Sequence, residues 1–401
     1  MSPPAMVPPF AFASLRSRGI RRMSLGVVAA GCVLACEPAQ LPVHKGAPRA
    51  ERAKSASRFE AAGGATAKPI SPAAMKDRAR TVMAALPSAA ESPSNPLTDE
   101  KVELGRMLFH DQRLSKNQDI SCATCHDLAA YGIDVRERDG KRVATSPGHR
   151  DQLGERNSPT VYNAGLAFVQ FWDGRAADLE AQVMKPLTNP VEMAMPDEAA
   201  VVRVVASIPG YVDAFAQAFP DERDPVSAKT IALAIGAFER KLVTPGRFDA
   251  FMKGDLAALE QQELRGLQLF FDAGCTQCHT GAGIGGTQFQ KLGSVKAWPG
   301  LKDEGRFRET EDPKDRFVFK VPTLRNVTRT GPYLHDGSIE SLEEMVELMA
   351  EHQSTRGRLK PAEAAAIVAF LGTLEGELPT ALIAAPTLPP SGPDTPTPDA
   401  S

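Results

Sequence analysis

Long apolar runs are almost absent from this 401-residue chain. Only Ser24–Ala35 (SLGVVAAGCVLA) approaches one. It is too short to cross a bilayer as a mature helix, which excludes a polytopic membrane protein. Cysteines number six, too few for a disulfide scaffold, and aromatics make up only 6% of residues. Alternating strand patterns are equally scarce, FVFKV at 317–321 being the best. No sign of charge dominates: 46 basic residues face 49 acidic ones, which argues against a nucleic-acid partner. What is present is 42% apolar and 24% charged residues, with 32 Gly and 33 Pro. That is the composition of a loop-rich globular protein.

The two ends differ from the middle. Arg16, Arg18, Arg21 and Arg22 precede the short apolar stretch, so residues 1–36 read as an export signal. Leu34-Ala35-Cys36 resembles a lipoprotein processing site that would leave a lipid anchor on Cys36; Gly31-Cys32 is the alternative, and a plain cleaved signal the bland reading. Either way a periplasmic protein is expected. Removing these residues leaves 42 basic against 49 acidic side chains, a balance of −7 that suits a basic protein partner. Residues 37–71 are expected to form a disordered tether, and 378–401 (ending PPSGPDTPTPDAS) a disordered tail.

Between the ends the periodicity is helical, over 72–86, 98–110, 177–184, 196–219, 226–241, 255–271, 341–351 and 360–374. An internal repeat runs through this region. Cys122-Ala-Thr-Cys125-His126 recurs as Cys275-Thr-Gln-Cys278-His279. Gly105-x-x-Leu108-Phe109 recurs as Gly266-x-x-Leu269-Phe270. Pro159-Thr160-x-x-Asn163 matches Pro322-Thr323-x-x-Asn326, and Asp173-Gly174 with Leu179-Glu180-x-x-Val183 matches Asp336-Gly337 with Leu342-Glu343-x-x-Val346. Four matches in one order describe a duplicated unit. The expected fold is mainly α, with two tandem cytochrome c-like domains, 72–245 and 246–377, joined by long loops.

Cys-x-x-Cys-His is the attachment signature of c-type haem: two thiols bond the porphyrin and the next residue offers an imidazole to the iron. A four-cysteine zinc site would want its pairs about 15–20 residues apart, and a thioredoxin-like pair a βαβ context without the His. Two covalently bound haems c are therefore expected, on Cys122, Cys125 and His126 and on Cys275, Cys278 and His279. What fills each sixth iron position decides reactivity. Met345 and Met349 stand one turn apart on one helix, and a thioether from Met349 would close the second iron and suit it to electron transfer. The first repeat has Pro186 at the position matching Met349, and proline cannot ligate.

These motifs carry a resemblance. Leu114-Ser115 before SCATCHD, Gly148-His149, Asn157-Ser-Pro-Thr, Phe171-Trp172-Asp173-Gly174-Arg175, Asn189-Pro-Val-Glu192-Met, Lys320-Val-Pro-Thr-Leu-Arg-Asn and Tyr333-Leu-His335-Asp-Gly resemble the bacterial di-haem cytochrome c peroxidase family, which includes the MauG-like enzymes. The resemblance implies that His149 is the displaceable distal ligand of the first haem. It further implies that Gln182, Pro186 and Glu192 line a peroxide pocket with Glu192 as acid/base, and that Trp172 relays electrons between the haems. Asn157, Thr330 and Pro332 would supply oxygens to one Ca²⁺.

Departures matter too. MauG-like members carry tyrosine where this chain has Met349, His110 replaces an aromatic residue and reads as a surface histidine, and His352 competes with Met349 as a ligand. The expected activity is reduction of hydrogen peroxide to water, with electrons from a small c-type cytochrome or cupredoxin. The rivals are a MauG-like oxidase of a protein substrate and a di-haem electron carrier. Family members often pair, so a homodimer is part of the expectation.

Overall fold

The computed structural model describes residues 68–401. The signal expected over 1–36, and all but the last four residues of the tether expected over 37–71, lie outside the described residues.

The helices of seven residues or more are α1 (Pro72–Arg80), α2 (Asp99–His110), α3 (Leu179–Thr188), α4 (Glu198–Ala206), α5 (Pro209–Ala218), α6 (Ala228–Lys241), α7 (Arg247–Lys253), α8 (Gln261–Asp272), α9 (Leu342–Gln353) and α10 (Pro361–Gly372). Their starts are written in the sequence. The side chains of Thr98, Asp178, Asp197, Ser227 and Ser341 each accept from a backbone N–H of the first turn. The single helix expected over 196–219 is two, bent by 103° at Ser207–Ile208. Pro209 is the cause, since it has no N–H to continue α4 but fits the first turn of α5. Among the described residues, strands are confined to two short antiparallel pairs, Glu137–Arg138 with Lys141–Arg142 and Phe289–Lys291 with Val318–Lys320.

Each repeat is built on one helix crossing. In the first domain α2 crosses α6 at Gly105, where a Cβ would sit 1.9 Å from the carbonyl oxygen of Ala234; in the second, α8 crosses α10 at Gly266, where a Cβ would sit 1.9 Å from that of Ala366. Only glycine permits this approach. The flanking aromatic pairs match as well, with Phe109–Phe238 centroids 5.3 Å apart and Phe270–Phe370 centroids 5.4 Å apart. Around each crossing lies a separate apolar core, one centred on Leu108, Phe109, Ile235 and Phe238 and the other on Leu267, Phe270, Ile367 and Phe370.

The seam between the domains repeats the symmetry. Asn163 and Asn326, equivalent residues in left-handed conformation, both donate to the buried Thr244 hydroxyl, at 2.9 and 2.8 Å. Gly246 and Gly376 pair antiparallel beside them.

The ends of the described chain cross over. Helix α1 and the turn after it, expected in the first domain, pack through Met75, Ala79 and Met83 into the second core, and Ile70 bonds Gln261 there. Residues 72–86 therefore belong with the second domain, and the boundary expected at 72 is corrected. Conversely, residues 378–401 lie on the first domain and are not a disordered tail. Leu378, Leu382 and Ile383 pack on its core, with a short helix at Thr380–Ile383. Arg106 donates to Ala384, Arg113 to Pro389 and Gln118 to Pro396. Composition suggested disorder because the segment brings little apolar surface of its own; the carbonyls of a proline-rich irregular segment instead accept from side chains of the first domain.

Candidate haem sites

In both repeats a short turn presents two thiols and an imidazole. In the first, Thr124 Oγ1 accepts from the Ser121 N–H at 2.9 Å and closes the turn Cys122–Cys125. The Nδ1 atom of His126 lies 3.2 Å from the carbonyl oxygen of Gly132, and that of His279 lies 3.2 Å from that of Ile284. Each carbonyl accepts from Nδ1–H and leaves Nε2 with its lone pair for a metal. Burial lowers both imidazole pKa values, that of His279 to about 4, so the rings are neutral as ligation requires. Among the described residues Cys122, Cys125, Cys275 and Cys278 form no disulfide, and burial raises their thiols, that of Cys275 to about 12. These are protonated, enclosed thiols, suited to covalent attachment and ill suited to free redox exchange.

The second turn opens onto an elongated cavity of about 380 Å³ whose wall carries Cys275, Cys278, His279, Met345 and Met349. The donor set and the apolar lining fit a c-type haem. His352 is not on this wall. It is buried against Trp298, ring centroids 4.9 Å apart, with Nδ1 3.0 Å from the carbonyl oxygen of Lys296.

Trp172 reaches the same cavity from the first domain, held by its indole N–H donating to Asn157 at 2.9 Å. It meets the equivalent residue of the other repeat, His335, edge to face at 6.4 Å, and His335 stacks on Phe319 at 4.3 Å. Asn157, Thr330 and Pro332 line this inter-domain end together.

At the first site the loop bearing His149 is pinned to the segment bearing Glu192. The His149 N–H donates to the Glu192 carbonyl at 2.7 Å. Gly148 makes the approach possible, since a Cβ there would lie 2.1 Å from the Val191 carbonyl oxygen. Two non-glycine residues with positive φ, Arg150 and Asp151, follow at once. Glu192 accepts from the Asn189 side chain at 2.7 Å, and burial raises its pKa against the opposing effects of Asn189 and Arg175. Its carboxylate is near enough to Cys125 to raise that thiol. Gln182 and Pro186 share one face of α3, and Met193 donates its N–H to the Pro186 carbonyl at 3.2 Å. His149 is buried, its Nε2 3.3 Å from the carbonyl oxygen of Ser401 in the returning segment.

Comparison with known proteins settles the kinship. A family model described as di-haem cytochrome c peroxidase matches residues 99–257, and one described as cytochrome c matches 264–375. A cytochrome c551 peroxidase of Nitrosomonas europaea is 45% identical over 77% of this chain and 89% of its own length. The chain belongs to the di-haem cytochrome c peroxidase family. A cytochrome c551 peroxidase of Pseudomonas aeruginosa is 42% identical over 81% of this chain and 92% of its own. A MauG of Methylorubrum extorquens is 37% identical over 79% and 88%. Among solved structures, a MauG-like protein associated with microbial copper homeostasis superposes with a TM-score of 0.64 at 31% identity, covering 78% of this chain and 97% of that one. As a member of this family the chain is a two-haem protein built from cytochrome c-type domains.

Several side-chain placements were not read from the sequence. His110 is not a surface histidine: it is half-buried, with Nε2 enclosed and unpaired. Arg156 bridges Asp173 of the first domain to Asp303 of the second, the latter at 2.6 Å, and steadies the segment between Trp172 and His335. Lys320 lines the second cavity, where burial lowers its ammonium pKa to about 8. Arg325 and Asp249 form an ion pair at 2.8 Å, exposed by no more than 2%. Lone charged residues in loops give no sequence signal for such pairings.

Proposed function

We propose that the protein is a periplasmic peroxidase that reduces hydrogen peroxide to two waters with two protons from solvent and two electrons from a small c-type cytochrome or cupredoxin. The observation carrying this reading is the main-chain coupling of His149 to Glu192 beside the first thiol pair, at 2.7 Å. When bound there, haem supplies an iron that takes up peroxide and delivers electrons for cleaving its O–O bond.

The chain's own residues then have distinct tasks. Glu192, raised by burial and steadied by Asn189, would take a proton from one oxygen of the peroxide and return it to the other, which departs as water. His149 is the gate: its loop carries two left-handed non-glycine residues, a strain that a change of position would relieve. Pro186 keeps the distal face free of a protein ligand, and Gln182 orients peroxide from the same helix face. In the second domain Met349 keeps the site closed for electron transfer, and Trp172 passes electrons on. Asn157, Thr330 and Pro332 hold a Ca²⁺ at the inter-domain end, where a hard cation needs only such oxygens and water. Methionine rather than tyrosine at 349 favours this reading over oxidation of a protein substrate.

Stopped-flow mixing of peroxide with half-reduced and with fully oxidised protein, with and without Ca²⁺, tests the proposal. Half-reduced, Ca²⁺-loaded protein should react at once and oxidised protein only after a lag; H149A should lose the lag. A lag unchanged in H149A overturns the gate.

A further inference from the structure

The matched crossings extend the repeat into helices that motif searching did not align. Ala234 and Phe238 occupy the places of Ala366 and Phe370, so Ile235 matches Ile367 and Glu239 matches Leu371. Ile367 and Leu371 both line the second haem cavity. The first domain therefore puts a carboxyl where the second puts a leucine. Glu239 is 6% exposed, and no side-chain hydrogen bond reaches it among the described residues. The adjacent Arg240 makes no hydrogen bond to it, its guanidinium being engaged with Glu180 at 2.7 and 3.2 Å. Glu239 is close enough to Cys122, the first attachment thiol, to raise it.

A buried acid without a counter-charge is costly, and one beside a group that changes charge is linked to that change. We propose that Glu239 is the redox-linked proton site of the first haem: its carboxylate takes one proton from solvent as that haem gains one electron, and returns it on re-oxidation. The electron comes from the second haem, so nothing beyond the donor and water is consumed. This rests on the two-haem reading.

Burial pushes the Glu239 carboxyl up to about 8, with Glu180 adding to the rise and Arg240 opposing it. The elements packed on α6 bring other charged groups: Asp99, Glu100, Lys101, Glu103, Arg106 and His110 on α2, Glu180 and Lys185 on α3, Glu198 and Arg203 on α4. Of these, only Glu180 acts on Glu239, together with Arg240 of its own helix. A carboxyl protonated in the reduced state and ionised in the oxidised state makes the potential fall as pH rises.

The test is a redox titration of the holoprotein across neutral pH, with each haem followed by its own visible and paramagnetic signature. The first haem should shift downward with rising pH by one proton per electron, and the second should stay flat. E239Q should abolish the slope; E239L, which copies the second domain's own residue, serves if E239Q does not assemble. L371E should confer a slope on the second haem. A flat first haem in the wild type, or a slope kept in E239Q and E239L, overturns the proposal. A protein showing the slope but no peroxide turnover would overturn the peroxidase reading and leave this one standing.

Discussion

The two domains share a helix crossing, an aromatic pair and an attachment turn, yet differ at two positions that their equivalence brings to the haem sites. Where the second domain has Met349 the first has Pro186, and where the second has Leu371 the first has Glu239. Their structural cores diverge as well. Arg325, buried on Asp249, occupies the place of Tyr162, whose hydroxyl donates to Leu128 at 2.7 Å. Duplication kept the scaffold, and under the proposed function substitutions on its inner walls would give one copy an openable, proton-handling pocket and the other a closed one. Function thus resides in a few wall residues, while the fold is common to both.

This contrast can be broken from either side. The largest effect is all-or-none: M349A should abolish the visible thioether-to-iron band of the oxidised second haem, whereas M345A should retain it; the reverse pattern assigns the ligand to Met345. In the first domain, E192Q should lower the peroxide-cleavage rate by about 10²–10⁴-fold, the usual contribution of a positioned acid/base. Reduction of the second haem should be unchanged, and single-turnover kinetics separates the two.

The cores should respond unequally. R325M strands a buried Asp249 and should cost about 3–5 kcal/mol, whereas Y162F removes one neutral hydrogen bond and should cost about 0.5–1.5 kcal/mol. Thermal unfolding of the two variants, compared with wild type, checks the ranking.

Much of this was legible in the chain. Cys-x-x-Cys-His, repeated with its flanking motifs, was enough for two haem domains, and helical periodicity located the helices of seven residues or more except α7. Glu239 escaped because the spacing between repeats, 153 to 163 residues through residue 183, falls to 132 at the last helix of each domain. Only the glycine crossings restore the register. The break at Ser207–Ile208 was visible as Pro209 but outweighed by apolar periodicity on both sides. The path of 378–401 escaped because its partners, Arg106, Arg113 and Gln118, are distant in sequence and signal nothing by composition.

The exchanged arms carry a consequence for how this molecule can be taken apart. Each half lends a piece of chain to the other: α1 completes the Phe270 core, and residues 378–401 cover the Phe109 core. Cutting at the Leu242–Gly246 link would not release two self-sufficient modules, because each fragment would carry away the strip that shields its neighbour. Ancestral duplication notwithstanding, the pair is interlaced like clasped hands and must be made, and studied, as a whole.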